Sequence, residues 1–101
     1  MARTTIGEVT KGHLAAMTTD ERTVFEETWG ATRLALEVGE KIRDAREAAN
    51  LSQRELAARM RISPAAVGRL EAGDVGAKLA TVQRVATALD LKLTVELSTA
   101  I

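Results

Sequence analysis

The sequence predicts a mainly α-helical protein with one domain and an N-terminal arm. Three observations support this class. Ala, Leu, Glu and Arg, which favour helices, are abundant, and the 101 residues include a single proline. Apolar residues make up 46% of the chain, enough for a core, although Phe25 and Trp29 are its only aromatic residues. From Val38 onward, the apolar residues recur at helical spacing.

The N-terminal third is predicted to be an arm followed by a helical extension. Residues 1–17 contain two glycines and no sustained hydrophobic period, so we interpret them as a flexible arm. Thr18 stands three residues before Glu21, the spacing of a capping box, and predicts that a helix begins there. The extension, residues 18–37, has a rough apolar face interrupted by glycine. Whether the extension is one helix or two stays open. Whether the arm is ordered without a partner also stays open.

Residues 38–90 are predicted to form the folded domain, which begins with two helices. The first ends near Asn50, a residue that commonly stops helices. Its buried stripe is predicted to be Val38, Ile42, Ala45 and Ala49. Ser52 then caps a short helix, and Glu55 completes a second capping box. The inner face of this short helix is predicted to be Leu56, Ala57 and Met60.

The single proline, Pro64, is predicted to start a helix rather than to interrupt one. Ser63 precedes it as an N-cap, and proline is favoured at the first helical position because its missing N–H needs no partner there. Gly73 is placed to end this helix. The buried face is predicted to be Val67 and Leu70, and a last amphipathic helix follows with the apolar residues Leu79, Val82, Val85, Ala86 and Leu89.

The C-terminal residues 91–98 predict a half-buried strand. The segment "LKLTVELS" alternates strictly between apolar and polar residues. A lone strand leaves its backbone groups unpaired, and no other segment of the chain is a convincing strand. We therefore expect it to pair with its copy across a homodimer. The residues on its apolar face are Leu91, Leu93, Val95 and Leu97.

Two short helices joined by a tight turn, residues 53–60 and 64–72, have the size and spacing of a helix-turn-helix. The net charge of the chain is zero, which counts mildly against a nucleic-acid binder. Residues 53–69, however, carry four arginines against Glu55 alone. Acidic residues elsewhere are largely screened beyond about 8–10 Å. The local charge therefore predicts a DNA-binding surface.

Other classes of protein find little support. The chain has no cysteine, which excludes disulfides and thiolate metal sites and is typical of a cytoplasmic protein. No apolar run approaches the roughly 20 residues of a membrane span, and the N-terminus lacks a signal-peptide core. His13 is the only histidine and has no ligand partners at metal-site spacing, so neither a metal nor another cofactor is expected. Since no nucleophile–base pair or phosphate-binding glycine loop occurs, we do not expect an enzyme.

The segment "LSQRELAARMRISPAAVGRLEAG" resembles the signature of the Xre/Cro family, in which L-[ST]-Q-x-x-L-A leads through a turn into a second helix. The resemblance covers about Val38 to Leu89 and implies a five-helix, lambda-repressor-like domain. The acidic helix upstream and the tail "VATALDLKLTVEL" are similar to HigA-type antitoxins of toxin–antitoxin pairs. This implies a homodimer that represses its own operon at palindromic DNA and neutralises a cognate toxin. A stand-alone repressor and a protein-interaction module without DNA remain alternatives.

The resemblance also implies roles for individual residues. Pro64, Ala65 and Arg69 occupy positions that face the major groove, and Gln53 would contact a phosphate or a base edge. Alanine cannot hydrogen-bond a base edge, so base readout is assigned mainly to Arg69 and Gln53, with DNA shape supplying further specificity. The candidates for phosphate contact are Ser63, Arg54, Arg59 and Arg61.

Four further residues are assigned to protein–protein or internal contacts. In the family, the positions of Arg46 and Glu71 hold a structural ion pair that ties helices together. Phe25 and Trp29 lie one helical turn apart, outside the helix-turn-helix. They either pack onto the domain or anchor a partner protein, which for an antitoxin would be the toxin, because aromatic residues often dominate interfaces.

Overall fold

The computed structural model describes residues 18–100, which form four helices. Helix α1 spans Thr19–Ala48, α2 spans Gln53–Met60, α3 spans Pro64–Glu71 and α4 spans Leu79–Ala88. The predicted flexible arm, with His13, lies outside the described residues. Within residues 18–100 the fifth helix implied by the family resemblance is not confirmed.

Helix α1 is a single helix of 30 residues, which answers the question left open by the sequence. The hydroxyl of Thr18 accepts the backbone N–H of Glu21 at 3.2 Å, so the helix begins where the capping-box spacing predicts. The boundary expected between residues 37 and 38 falls inside this helix. The chain also divides into two compact units between Ala31 and Thr32.

Gly39 lies on α1 where this helix passes closest to the end of α3. A Cβ atom at Gly39 would lie 2.5 Å from the carbonyl oxygen of Leu70 and 2.6 Å from that of Glu71. Backbone atoms cannot give way by that much, so only glycine permits this approach. The glycine that weakens the helical pattern in the sequence is therefore required by helix packing.

The sequence predicts correctly where α2 and α3 begin. Ser52 Oγ accepts the N–H of Glu55 and Glu55 Oε1 accepts the N–H of Ser52, both at 3.0 Å, which completes the capping box. These hydrogen bonds with Ser52, the backbone one first, lower the pKa of the Glu55 carboxyl. Ser63 Oγ accepts the N–H of Ala66 at 3.1 Å, and Pro64 stands in the first turn of α3.

Three of the four helices end with a non-glycine residue in the left-handed conformation. Asn50, Arg61 and Asp90 have φ values of 57°, 58° and 56°. After each of them, the next N–H reaches back to a helix carbonyl, as in a Schellman motif. These bonds join Leu51 to Arg46 at 3.1 Å, Ile62 to Ala57 at 3.0 Å and Leu91 to Ala86 at 2.7 Å. Only the end of α3 uses a glycine, Gly73, with a φ of 96°.

One hydrophobic core joins the C-terminal half of α1 to the other three helices. Leu56, Val67 and Val85 are almost completely buried at its centre. The remaining buried members are Ile42, Leu51, Ala57, Met60, Leu70 and Leu89. Two residues predicted to be buried are exposed. Ala49 follows the last residue of α1, and Leu79, the first residue of α4, is 68% exposed.

Residues 91–100 form neither helix nor strand, so the strand predicted over 91–98 is not confirmed within the described residues of one chain. The exposed fractions of Leu91, Val95 and Leu97 are 43%, 61% and 96%, and Leu93 is half-buried. Because a strand needs a partner for its backbone groups, the pairing requires a second copy of the chain. Pairing across a homodimer stays a prediction.

Candidate nucleic-acid interface

Helices α2 and α3 form a helix-turn-helix whose three-residue turn is fixed at every position. Arg61 takes the left-handed conformation that ends α2, and Ser63 caps α3. Between them, Ile62 packs against the hydrophobic core. Because all three residues are held, the angle between α2 and α3 is set by the fold rather than by the exposed side chains.

The residues predicted to contact DNA are all exposed, but they do not form one patch. Gln53 and Arg54 lie at the start of α2, whereas Arg59 and Arg61 lie at its end. An eight-residue helix is about 12 Å long, so these two pairs are well separated. The complete exposed set is Gln53, Arg54, Arg59, Arg61, Ser63, Pro64, Ala65 and Arg69.

The amide group of Gln53 lies against α3. Its Nε2 donates a hydrogen bond to Glu71 Oε1 at 3.1 Å. A Cβ atom added to Gly68 would lie 3.9 Å from Gln53 Oε1, an ordinary van der Waals distance. The sequence analysis missed this contact between Gln53 and α3, since nothing in the local pattern links residues 18 positions apart.

Arg46 and Glu71 form a bidentate ion pair between α1 and α3, at the positions that the family resemblance implies. Arg46 Nε donates to Glu71 Oε2 at 2.6 Å and Nη2 donates to Oε1 at 3.0 Å. A third donor, Nη1, bonds the carbonyl oxygen of Leu51 at 2.8 Å. The two side chains are only 12% and 4% exposed, so the pair is largely shielded from water.

Both members of this pair are ionised at neutral pH. Burial acts to raise the pKa of Glu71, but the hydrogen bonds from Arg46 and Gln53, together with the Arg46 charge, hold that pKa below its ordinary value. The hydrogen bond to Glu71 raises the pKa of Arg46. Within residues 18–100 no buried side-chain nitrogen or oxygen lacks a hydrogen-bond partner, so the charged network is fully satisfied.

Arg84 on α4 is a basic residue that the sequence analysis did not select. Its Nη2 donates to the carbonyl oxygen of Met60, which supplies a partner for a carbonyl at the end of α2. Arg84, Arg59 and Arg61 line one depression of about 360 Å³. Its other described lining residues are Met60, Gln83, Thr87 and Ala88, none of them acidic. Three cations around one depression make this end of α2 a suitable place for a phosphate group.

Arg69 borders a second depression, of about 330 Å³, together with Lys78 and Arg84. Asp74 also lines it, and the Asp74 carboxylate accepts the N–H of Gly76 at 2.9 Å, which shapes the loop before α4. Lys78 is the N-cap of α4 and makes no side-chain capping bond, because an ammonium group has no acceptor, and the residue is exposed. Lys78 is therefore another basic residue that the sequence analysis passed over.

Phe25 and Trp29 lie on α1, N-terminal to the division at Ala31. Trp29 is 42% exposed and Val24 is 62% exposed, whereas Phe25 is half-buried. Phe25 and Val24 line a depression of about 510 Å³, together with Asp20, Glu21 and Thr28. This segment therefore presents apolar area at its surface.

Residues 18–100 contain neither a membrane-spanning helix nor a cluster of metal ligands. None of the four helices is both long and apolar enough to cross a bilayer. No group of three or more His, Cys, Asp or Glu residues there is placed to hold a metal ion. His13 lies outside that range, so the expectation about this residue stays a prediction.

The comparisons with known proteins agree with this geometry. A family model described as helix-turn-helix matches residues 42–95, more than half of the chain, and the match contains α2, α3 and α4 entirely. Searches of curated proteins and of solved structures found no match. The chain belongs to the Xre/Cro-like helix-turn-helix family of DNA-binding transcriptional regulators.

Proposed function

We propose that this regulator is an antitoxin, which represses its own operon as a homodimer and neutralises a cognate toxin in the cytoplasm. One observation carries the step from regulator to antitoxin. The helix-turn-helix match begins at residue 42, but α1 begins at Thr19 and presents Trp29 and Val24 at the surface. A DNA-binding domain alone has no need of this exposed apolar segment, whereas a protein partner would bury it.

In the proposed complex with DNA, α3 enters the major groove and its N-terminal residues approach the base edges. Arg69 and Gln53 supply hydrogen bonds to bases, and Ala65 offers an apolar contact of the kind that thymine methyl groups accept. Phosphate contacts come from both ends of α2. The residues proposed for those contacts are Arg54, Ser63, Arg59 and Arg61, with Arg84 added because it lines the same depression as the last two.

Dimerisation is proposed to place two such helices on a palindromic operator. Two copies of residues 91–98 pair as strands, which gives further backbone partners to a segment that is neither helix nor strand in the single chain and in which the Leu91 N–H is bonded to Ala86. The alternating apolar residues of this segment would be buried together. The two copies of α3 would then lie about one turn of DNA, roughly 34 Å, apart.

The experiment that tests the antitoxin proposal separates partner binding from DNA binding. The full chain and a Trp29→Ala variant are each produced together with the product of the neighbouring short open reading frame. We expect the neighbour to co-purify with the full chain and to be lost from Trp29→Ala. Both proteins should retard their own promoter fragment equally.

The matched control is Arg69→Ala. This variant should still co-purify with the product of the neighbouring open reading frame, but it should lose its preference for the promoter fragment. If no neighbouring product co-purifies while the promoter fragment is retarded, the chain is a stand-alone repressor. That alternative has its own support, because the family match covers the DNA-binding domain and does not include residues 19–41. Failure to retard the promoter fragment at low salt would favour a protein-interaction module.

A further inference from the structure

A chain of three buried or half-buried contacts leads from α1 to the predicted DNA-facing surface. Arg46 holds both oxygens of Glu71 at 2.6 and 3.0 Å. Glu71 Oε1 in turn accepts a hydrogen bond from Gln53 Nε2 at 3.1 Å. The Glu71 side chain is 4% exposed, whereas Gln53 is exposed. The buried Glu71 carboxylate therefore holds the Gln53 amide at the surface of the protein.

This arrangement decides which way the Gln53 amide is turned. An ionised carboxylate only accepts hydrogen bonds, and an amide has two N–H donors on nitrogen and acceptor lone pairs on oxygen. Glu71 therefore attracts the nitrogen of Gln53 and repels its oxygen. One N–H is committed to Glu71, so the oxygen and the second N–H remain for a ligand.

The remaining acceptor and donor match one base in particular. In the major groove adenine presents a donor at N6 and an acceptor at N7, whereas guanine presents two acceptors, N7 and O6. The free oxygen and the free N–H of Gln53 complement adenine as a pair. Opposite guanine, the oxygen of the fixed amide would face another acceptor. The amide lies beside Gly68, in the middle of the helix that is proposed to enter the groove.

We propose that Glu71 is a positioning residue that makes Gln53 specific for adenine in the operator half-site. This inference rests on the proposed entry of α3 into the major groove. It gives Glu71 a second role besides its ion pair with Arg46. If Gln53 instead bonded a phosphate, only its free N–H would be used, and binding would not depend on the base.

The first test needs no DNA. Side-chain amide relaxation and hydrogen exchange are measured by NMR on the full-length protein, in which Gln83 is the only other glutamine. Gln83 is exposed and serves as the internal control. We expect the Gln53 amide to be rigid, with one protected proton, while the Gln83 amide is mobile. Equal mobility of the two amides would overturn the proposal.

The variant for this test must remove Glu71 without leaving the buried charge of Arg46 unpaired. A double change, Arg46→Met with Glu71→Leu, replaces the whole ion pair by apolar side chains, which buried pairs often tolerate. Circular dichroism checks the fold. In this variant the Gln53 amide should become as mobile as that of Gln83. If the double variant unfolds, the comparison of Gln53 with Gln83 in the wild-type protein still decides whether the Gln53 amide is held.

The second test uses promoter DNA in which each adenine of the half-site is replaced in turn by 7-deazaadenine, which lacks the N7 acceptor. One position should weaken wild-type binding by about 2- to 12-fold, the factor expected for the loss of one of the two hydrogen bonds. In Gln53→Ala and in the double variant, binding should no longer depend on the N7 atom of that adenine. Combining Gln53→Ala with the double variant should cause no further change in this dependence. Retention of the full effect in the double variant would contradict the positioning role.

The two tests separate this inference from the proposed function. If the wild-type protein shows no preference for the promoter fragment over scrambled DNA, the proposed function fails, and the NMR measurement still decides whether Glu71 holds Gln53. If promoter binding is specific but no adenine substitution weakens it, the assignment of Gln53 to adenine is wrong, while the proposed function as a regulator is unaffected.

Discussion

At the residue scale, the fold depends on the buried ion pair of Arg46 and Glu71. Replacing Glu71 by Gln leaves the buried guanidinium of Arg46 without its counter-charge. We expect this change to lower the free energy of unfolding by about 3–5 kcal/mol, the usual cost of breaking a buried pair from one side. Urea denaturation measures it. Arg69→Ala, at an exposed residue, is the control and should change stability by less than about 0.5 kcal/mol.

The same pair predicts a dependence of stability on pH. The pKa of Glu71 is lower in the folded chain than its ordinary value, so unfolding takes up a proton in acid. The stabilisation is therefore fully present above the ordinary glutamate pKa of about 4.3 and is lost as the pH falls through the folded pKa. The lowered pKa of Glu55 acts in the same direction.

Urea denaturation between neutral pH and strong acid measures this effect. The Arg46→Met, Glu71→Leu variant should show a shallower loss of stability on acidification than the wild type. The Glu55→Gln variant should retain the loss of stability on acidification that arises from Glu71. Identical acid profiles for the wild type and the double variant would show that other carboxylates dominate.

Base and phosphate contacts are also distinguished at single residues. Arg69→Ala should reduce discrimination between promoter and scrambled DNA by about 1–3 kcal/mol if its contact with the base is bidentate. Arg59→Ala should weaken binding to both DNAs about equally and reduce the dependence of affinity on salt. Fluorescence anisotropy at several salt concentrations measures both quantities. An unchanged promoter preference in Arg69→Ala would show that residues other than Arg69 distinguish the bases.

At the scale of the helices, two glycines in α1 and α3 have opposite roles. Gly39→Ala would force a Cβ into the backbone of α3, so the free energy of unfolding should fall sharply or the fold should fail. Gly68→Ala meets only the Gln53 amide at 3.9 Å or more. We expect it to stabilise α3 by up to about 1 kcal/mol, because alanine is the better helix former. Thermal denaturation of the two variants tests this contrast.

How far the sequence could predict these helices depends on the range of the signals. Ser52, Ser63 and Pro64 were correctly interpreted because each acts within three or four residues of itself. The bond from Arg84 to Met60 joins residues 24 positions apart and exists only once α2 and α4 are packed. Periodicity also misassigned Leu79, because it does not reveal where a helix loses its packing partner.

The candidate site was predictable to a similar extent. Residue type and resemblance selected these arginines, all of which are exposed, and their contact with DNA stays a prediction. They could not show that Arg59 and Arg61 share a depression with Arg84, nor that Gln53 is held by Glu71. Both arrangements depend on the angles between helices. The hydrophobic core sets these angles, because it packs α2 against both α3 and α4.

At the scale of the whole molecule, the prediction concerns the homodimer. Val95 and Thr94 are neighbours that would lie on opposite faces of a paired strand. Val95→Glu should place a charge in the dimer interface and yield a monomer, whereas Thr94→Glu should leave the dimer intact. Sedimentation or light scattering gives the mass. A monomeric wild type, or equal effects of the two changes, would contradict pairing through residues 91–98.

The close approach at Gly39 also bears on how this protein can diverge. The distance between α1 and α3 is limited there by peptide groups, which are the same in every sequence, and not by the volume of side chains. Mutations can therefore exchange one aliphatic core residue for another while α3 keeps its orientation. A lineage that retains this glycine, together with Arg46 and Glu71, can alter its aliphatic core without moving the residues on α3.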